Sequence, residues 1–407
     1  MRICGIIAEY NPFHTGHLYQ IQQTRKHLGE DCAIVCVMSG NFVQRGAPAI
    51  FSKQVRAAAA LQNGADVVLE LPLAWSLASA DRFAMGAVET LHRTGVVEFL
   101  SFGSEYPDVA TLQALAAAMQ SEETDQRQLR WMSKGLSAPA AKQKAAEEQL
   151  GEKSRILQSP NAMLAVSYLR AILTLNATLR PMAILRQGAF HDETIQTKPF
   201  ASAAYLRSCL KKGDYKQVTP FLPGETQTLL ERAMQNGTGP ILLENTAAER
   251  AILSRLRSMD LAAFQALPEA GGGLSNRLWD AAQKASSLSE FLGRCKTKRY
   301  TYAHLRRLAM RAYLGIQQKD HTAHVPYIRI LGFSKYGQGV LAQMRKKATL
   351  PLVVKFADGI KQGGVAAHHL MLEAHGTDMF GLCTPRMLSG GLEWKTGPVL
   401  PHMSPLV

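Results

Sequence analysis

The sequence predicts an α/β protein: a parallel-sheet domain carrying a helical insertion, followed by a mainly helical C-terminal region that ends in a small α/β piece. Three observations lead there. Short, almost continuously apolar runs alternate with helical patterns up to Gly103, as in a sheet covered on both faces. From Pro107 to about Leu150 the chain is rich in Ala, Gln and Glu, which are helix formers inserted into that alternation. Beyond residue 213 the pattern is helical as far as Gln318 and then reads strand, helix, strand.

Taken in order, residues 3–8, 33–38, 66–71 and 97–102 read as strands. Helices are expected at 16–29, 52–63 and 80–94, with Ser52 and Asp81 as N-caps and Gly64 and Gly95 as stops. A helix over 161–175, a short apolar run at 182–185, a loop-like stretch at 186–192 and a helix over 202–211 complete a first domain, 1–213. The second, 214–407, is broken at 268–273 and closes with strands at 327–332 and 352–356 around a helix at 336–347. The last fifteen residues, with three prolines, read as irregular.

A chain of 407 residues is too long for one core of ordinary size, so two or three domains are expected. With 46 Lys and Arg against 32 Asp and Glu the net charge is +14, which favours polyanionic partners such as nucleic acid and nucleotides. No apolar stretch reaches the roughly 20 residues that a bilayer span needs, and no basic leader opens the chain, so no membrane role and a cytoplasmic location are expected. The six cysteines lack metal-type pairing and read as reduced and buried. No metal site is expected either: His368, His369 and His375 have no Cys or carboxylate spacing beside them.

The chemistry concentrates at the end of the first strand. There Glu9-Tyr-Asn-Pro-Phe-His-Thr-Gly-His17 leads into a helical stripe of Leu18, Ile21 and Leu28. The carboxyl edge of a parallel sheet is where ligands bind, and a helix N-terminus offers unpaired N–H groups to anions. Gly16 allows close backbone approach, Pro12 stiffens the turn, and two imidazoles can hydrogen-bond phosphate oxygens as charge moves onto departing pyrophosphate. Ser39-Gly-Asn-Phe-Val-Gln-Arg-Gly46 is expected as a polar loop, too glycine-rich for the core, with Gln44 and Arg45 over the same edge. Gly103 in Phe102-Gly-Ser-Glu105, Asn161 after Ser159-Pro160, and Arg186 are placed to meet a nucleotide there.

A second feature lies between Arg294 and Arg311, where Arg294, Lys296, Lys298, Arg299, Arg306, Arg307 and Arg311 occur with no acidic residue. Tyr300, Tyr302 and His304 are interleaved. Leu305, Leu308, Ala309 and Ala312 form an inward stripe, so Arg306, Arg307 and Arg311 are expected to point outwards towards phosphates.

His14-Thr-Gly-His17 resembles the HxGH signature of the nucleotidyltransferase and class I aminoacyl-tRNA synthetase superfamily, which implies ATP bound on a Rossmann-like nucleotidyltransferase sheet. The whole chain more narrowly resembles the tRNA(Met) cytidine acetate ligase family. The residues that carry this are Gly5-Ile-Ile-Ala-Glu-Tyr-Asn-Pro-Phe-His-Thr-Gly-His17, Met38-Ser-Gly-Asn-Phe-Val-Gln-Arg-Gly46, Leu69-Glu-Leu-Pro72, Phe102-Gly-Ser-Glu105, Ser159-Pro-Asn161 and Arg186-Gln-Gly-Ala-Phe-His-Asp192. The resemblance implies acetate, an acetyl-adenylate and the wobble cytidine of elongator tRNA(Met), with release of AMP and diphosphate. It assigns catalysis to His14 and His17, and ATP contacts to Ile7, Ala8, Glu9, Asn11, Pro12, Phe13, His14, Gly16, His17, Gly103, Asn161, Arg186, Gln187 and Ser202. Magnesium is expected to accompany ATP.

Ala201-Ser-Ala-Ala-Tyr-Leu-Arg207 resembles the second superfamily signature, with Ala204 where a threonine is usual, so one hydroxyl contact is missing there. Met132-Ser-Lys134 looks like part of the synthetase KMSKS loop but falls in the helical insertion, before the catalytic sheet is complete. With the resemblance added, Lys296, Lys298, Arg299, Arg306, Arg307 and Arg311 read as tRNA-binding. Two other classes stay open on the same motifs: a small-molecule adenylyltransferase that needs no basic C-terminal half, and a non-catalytic RNA-binding protein on a decayed nucleotide fold.

Overall fold

The computed structural model describes residues 1–187, 200–244, 246–271 and 273–401. The part of the Arg186 motif from 188 to 192 and the last six residues lie outside the described ones. Strands β1 (Ile3–Ala8), β2 (Ala33–Ser39), a two-rung hairpin β3 (Phe42–Val43) and β4 (Ala47–Pro48), β5 (Val67–Leu71), β6 (Phe99–Ser104), β7 (Arg180–Leu185), β8 (Ile328–Phe333) and β9 (Leu352–Val353) follow one another along the chain. All but the hairpin form one sheet in the order β7-β6-β1-β2-β5-β8-β9. Its central pairs are parallel, with Ile3 opposite Ala33 and Ala8 opposite Met38.

Burial explains the register. Every residue of β2 is buried, as the unbroken apolar run requires of a strand covered on both faces. Alternate residues divide between two cores: Ile3, Ala33, Val35 and Val37 pack with helices α4 (Ala80–Arg93) and α8 (Pro160–Thr174). Cys4, Ile6, Ile34, Cys36 and Met38 pack with α1 (Thr15–Leu28) and α2 (Lys53–Gln62). A slip of one residue would exchange the two faces, so the pairing has one good solution. All six cysteines are free and buried.

The expected elements shift by a few residues, and of the two expected N-caps one changes. Ser52 caps α2 through its hydroxyl, which accepts the Val55 N–H. Asp81, expected as a cap, lies in the first turn of α4, where Ser79 holds the cap position. Its carboxylate instead gathers Lys142 and Arg170 at 2.5 and 3.1 Å and Ser167 at 2.9 Å, fastening the helical insertion and α8 to α4. That insertion forms α5 (Val109–Ala118), α6 (Glu122–Ser133) and α7 (Ala138–Leu150).

Two larger corrections come from packing. The closing strand–helix–strand pattern is not a separate piece: β8 pairs antiparallel with β5, and β9 extends it. This covers an edge of the main sheet that would otherwise present unpaired backbone groups. Residues 352–353 alone are strand, and Phe356 already starts a helix. The segment 39–46, expected as a polar loop over the sheet edge and outside the core, is largely buried: Ser39, Asn41, Phe42 and Val43 are all below 5% exposed, while Gln44 is half-buried and Arg45 exposed. Phe42 sits between Tyr313 and Phe380 in a third core built from the C-terminal helices. One apolar ring anchors the hairpin, and its polar neighbours find buried partners, as Asn41 does with Thr377 and the Lys53 N–H.

Candidate active site

At the carboxyl edge of the sheet, where β1, β6 and β7 end, lies a cavity of about 360 Å³, within the usual range for a small-molecule site. The histidines enter it through capping geometry. His14 is the N-cap of α1, and its Nδ1 accepts the Gly16 N–H at 3.1 Å. His17 answers from the first turn, its Nδ1 accepting the His14 N–H at 3.2 Å. The two rings lie 3.8 Å apart. A side chain at Gly16 would collide with the His14 ring, so this arrangement requires glycine there.

With both Nδ1 atoms used as acceptors, hydrogen bonding assigns the proton of each neutral ring to Nε2, the nitrogen left for the cavity. Both rings are neutral. Burial, then the Arg186 and Arg207 guanidiniums, push the His14 pKa down to about 3. Burial, then His14 and Arg186, hold His17 well below its ordinary value. Between about pH 3 and the ordinary 6.5, the unfolded chain therefore binds a proton at residue 14 that the fold excludes. Stability should rise with pH across that window and level off above it. His14→Asn keeps a side-chain oxygen for the Gly16 N–H, and is expected to flatten the slope by up to about 1.4 kcal/mol per pH unit. Urea titrations at a series of pH values will read this; equal slopes in both proteins would refute it.

Most of the expected contacts share this cavity. Ile7, Ala8, Glu9, Asn11, His14, Gly16, His17, Gly103, Asn161, Arg186, Gln187 and Ser202 line it. Pro12 and Phe13 do not: Phe13 is buried behind the loop, its ring 4.9 Å from that of Tyr10. They shape the turn from within. Asn11 turns its side chain to the Ile50 N–H and its carbonyl to Arg207, at 2.9 and 2.8 Å. On the β6–β7 side Asn161 spans Glu105 and Arg186, at 2.5 and 3.1 Å. Burial would push the Glu105 carboxyl up, but the nearby Ser159 hydroxyl, the Asn161 amide bonded to it and the Arg186 charge hold it low. Ser202 caps α9 (Ala203–Lys211), so a second helix N-terminus opens on the cavity.

Gln44 and Arg45 reach the cavity from the buried hairpin, as expected of them. Arg207 also lines it, so three guanidiniums surround the space. Tyr168 and Phe83 were not anticipated. A signal for Tyr168 existed: Asn161, Leu164 and Tyr168 recur at i, i+3 and i+7 along α8 and share one face.

The basic segment is only half as expected. Lys296, Lys298, Arg299 and Arg306 are exposed. Arg307 and Arg311 are buried, at 8% and 0% exposure, because the helix Tyr302–Leu314 is the central helix of the third core and is covered nearly all round. Arg311 donates to the carbonyls of Leu77 and Pro268 and pairs with Glu269. Burial pushes the Arg307 pKa down to about 10. Neither is available as an outward phosphate contact. A second basic run, Arg345, Lys346 and Lys347, lies where the chain meets Arg93 and Gly95, near the amino end of β6 and away from the cavity. The exposed half does adjoin the site: Gly46, at φ +76°, packs against the backbone of Arg306 and Arg307 with no room for a Cβ, so the hairpin that carries Arg45 rests on the basic helix.

His368, outside the site, pairs with Asp320 at 2.7 Å, and His369 packs on Trp75. No group of three His, Cys, Asp or Glu that could hold a metal ion occurs among the described residues.

A family model described as HIGH Nucleotidyl Transferase matches residues 1–391. The tRNA(Met) cytidine acetate ligase of Acetivibrio thermocellus is 34% identical over 98% of the chain and the whole of that protein. The one from Fervidobacterium nodosum is 35% identical over 87% of the chain and 84% of its own. Among solved structures, Thermotoga maritima TmcAL superposes with a TM-score of 0.92 at 32% identity over 98% of this chain and 99% of that one. The same protein bound to alpha-thio ATP superposes at 0.90, with 31% identity and the same coverage.

Proposed function

The chain belongs to the tRNA(Met) cytidine acetate ligase family within the HIGH nucleotidyl transferases, and we propose that it joins acetate to N4 of the wobble cytidine of elongator tRNA(Met). It is an ATP-dependent tRNA-modifying enzyme. In the first step an acetate oxygen attacks the α-phosphorus of ATP, diphosphate leaves, and acetyl-adenylate remains. In the second the cytidine amine takes the acetyl group and AMP leaves.

One observation carries this reading: two neutral imidazoles, each tied to the backbone through Nδ1, are left with Nε2–H as the group they can offer the cavity. Fixed donors of this kind stabilise the charge that grows on departing diphosphate without having to reorganise. The start of α1 and the guanidiniums of Arg186 and Arg207 add to the same field. Gly103 and Asn161 take the adenosine end, Arg186 and Gln187 the triphosphate, and Ser202 with the first N–H groups of α9 closes over it. Magnesium enters as the ATP complex, held by the phosphates. Residues 1–213 supply the nucleotide site and 214–407 most of the tRNA surface. A cytoplasmic location follows from that chemistry, because tRNA and ATP meet there; among the described residues no helix is long and apolar enough to cross a membrane.

Incubation with labelled acetate, ATP and bulk tRNA should yield acetylated cytidine. Dinucleotide formation without tRNA would favour a small-molecule adenylyltransferase instead. The tRNA surface has its own test. Arg306→Ala should weaken tRNA binding for all sequences alike and reduce the slope of log affinity against log salt by about one. Arg311→Met should instead act through stability. A salt slope unaffected by Arg306→Ala would remove that residue from the tRNA surface.

A further inference from the structure

The two steps differ in what they do with protons. Acetate enters as an anion, so its attack on ATP releases none. The amine must lose one as it becomes an amide. Some group close to the acyl carbon has to receive it.

Among the described residues that line the cavity, Glu9 is the only carboxylate. It follows β1 directly, in the middle of the carboxyl edge. Its Oε1 accepts the backbone N–H of Gln44 at 2.9 Å, which ties the side chain to the hairpin. Arg207 lies within electrostatic reach of it. That hairpin rests on the helix carrying exposed Arg306. The carboxylate is thus held at the hairpin wall, beside the basic surface, where a base drawn out of a polynucleotide would enter. Beside an incoming neutral amine such a carboxylate can take the proton.

We propose that Glu9 is the general base of acetyl transfer, a role that rests on the ligase reading above. The N4 lone pair forms the new N–C bond and the mixed-anhydride C–O bond breaks. AMP leaves with that electron pair, and the amine proton passes to the Glu9 carboxylate and then to water. Gln44 acts as a positioning residue through its backbone N–H.

Glu9→Gln is the discriminating variant, because its side-chain oxygen can still accept from Gln44 but cannot take a proton. Two half-reactions are measured: acetate-dependent exchange of labelled diphosphate into ATP, and single-turnover transfer from preformed acetyl-adenylate to tRNA. Wild type in the same preparation must acetylate tRNA; if it fails, the ligase reading falls first and this assignment with it. The expected result is transfer slowed by about 100-fold or more, with exchange reduced far less and the pH dependence of transfer flattened. Glu9→Asp should recover part of the transfer rate. Equal losses in both half-reactions would make Glu9 an ATP contact, and transfer within a few-fold of wild type would leave the proton to the departing phosphate or to water. Either outcome overturns the proposal.

Discussion

His17→Asn should lower acetate-dependent exchange of diphosphate into ATP by about 100- to 1000-fold, the loss typical of removing one fixed donor from a developing anion. The choice of asparagine matters. Its side chain can still accept the His14 N–H, so the cap on α1 survives while the distal Nε2–H is gone. The folded state should therefore stay within about 1 kcal/mol of wild type, since a retained cap removes the usual cost of losing one. His17→Ala loses cap and donor together and should show both effects. Because the free-enzyme imidazoles are neutral, with His14 down at about 3, neither should impose an inflection near pH 6.5 on kcat/KM for ATP. An exchange rate for His17→Asn within five-fold of wild type would contradict the transition-state role.

Lys53→Met should cost about 3–5 kcal/mol of folding stability, the usual penalty for removing one partner of a buried ion pair. The ammonium is 1% exposed and stands between Glu70 on β5 and Glu393 near the C-terminal end of the described chain, at 2.7 and 2.5 Å. Burial alone would lower its pKa. The carboxylates of Glu393 and Glu70 outweigh that and hold it above the ordinary value. Arg329 on β8 reaches Glu393 at 3.3 Å, and Glu373 accepts the Leu73 N–H, so one cluster ties α2 and β5 to the last hundred residues. In Lys53→Met both carboxylates keep their burial and lose their main counter-charge. Adding Glu393→Gln should recover part of the loss, because it neutralises one of the orphaned groups. Urea denaturation of the single and double variants measures this, and a single-variant cost below about 1 kcal/mol would show the cluster to be hydrated and weak.

Much of the site could be read along the chain because its parts are local. The strand, the turn at Pro12 and the capped start of α1 fall within Ile3–Leu28, and the two histidines three residues apart are brought together by the helix they begin. Gly103, Asn161 and Arg186 were legible for a related reason: each lies at the end of a strand, just after one or at the start of a helix, and a parallel sheet delivers all such junctions to one edge. The spacing of Tyr168 from Asn161 marks a shared helix face, but only docking of that helix turns the face to the cavity.

What the sequence determined by itself is therefore the catalytic βα turn, the parallel order of strands around it and an excess of positive charge, since these depend on neighbours in the chain and on alternating apolar residues. Tertiary packing decided which charges face water and where the sheet ends. Arg307 and Arg311 look like surface residues in any short window, yet the helix that carries them is enclosed by the third core, and the Arg311 charge is spent on Glu269 and backbone carbonyls. The same holds for Ser39–Gly46 and for β8. A polar or isolated segment becomes interior when a partner hundreds of residues away supplies its hydrogen bonds, as Thr377 does for Asn41 and β5 does for β8.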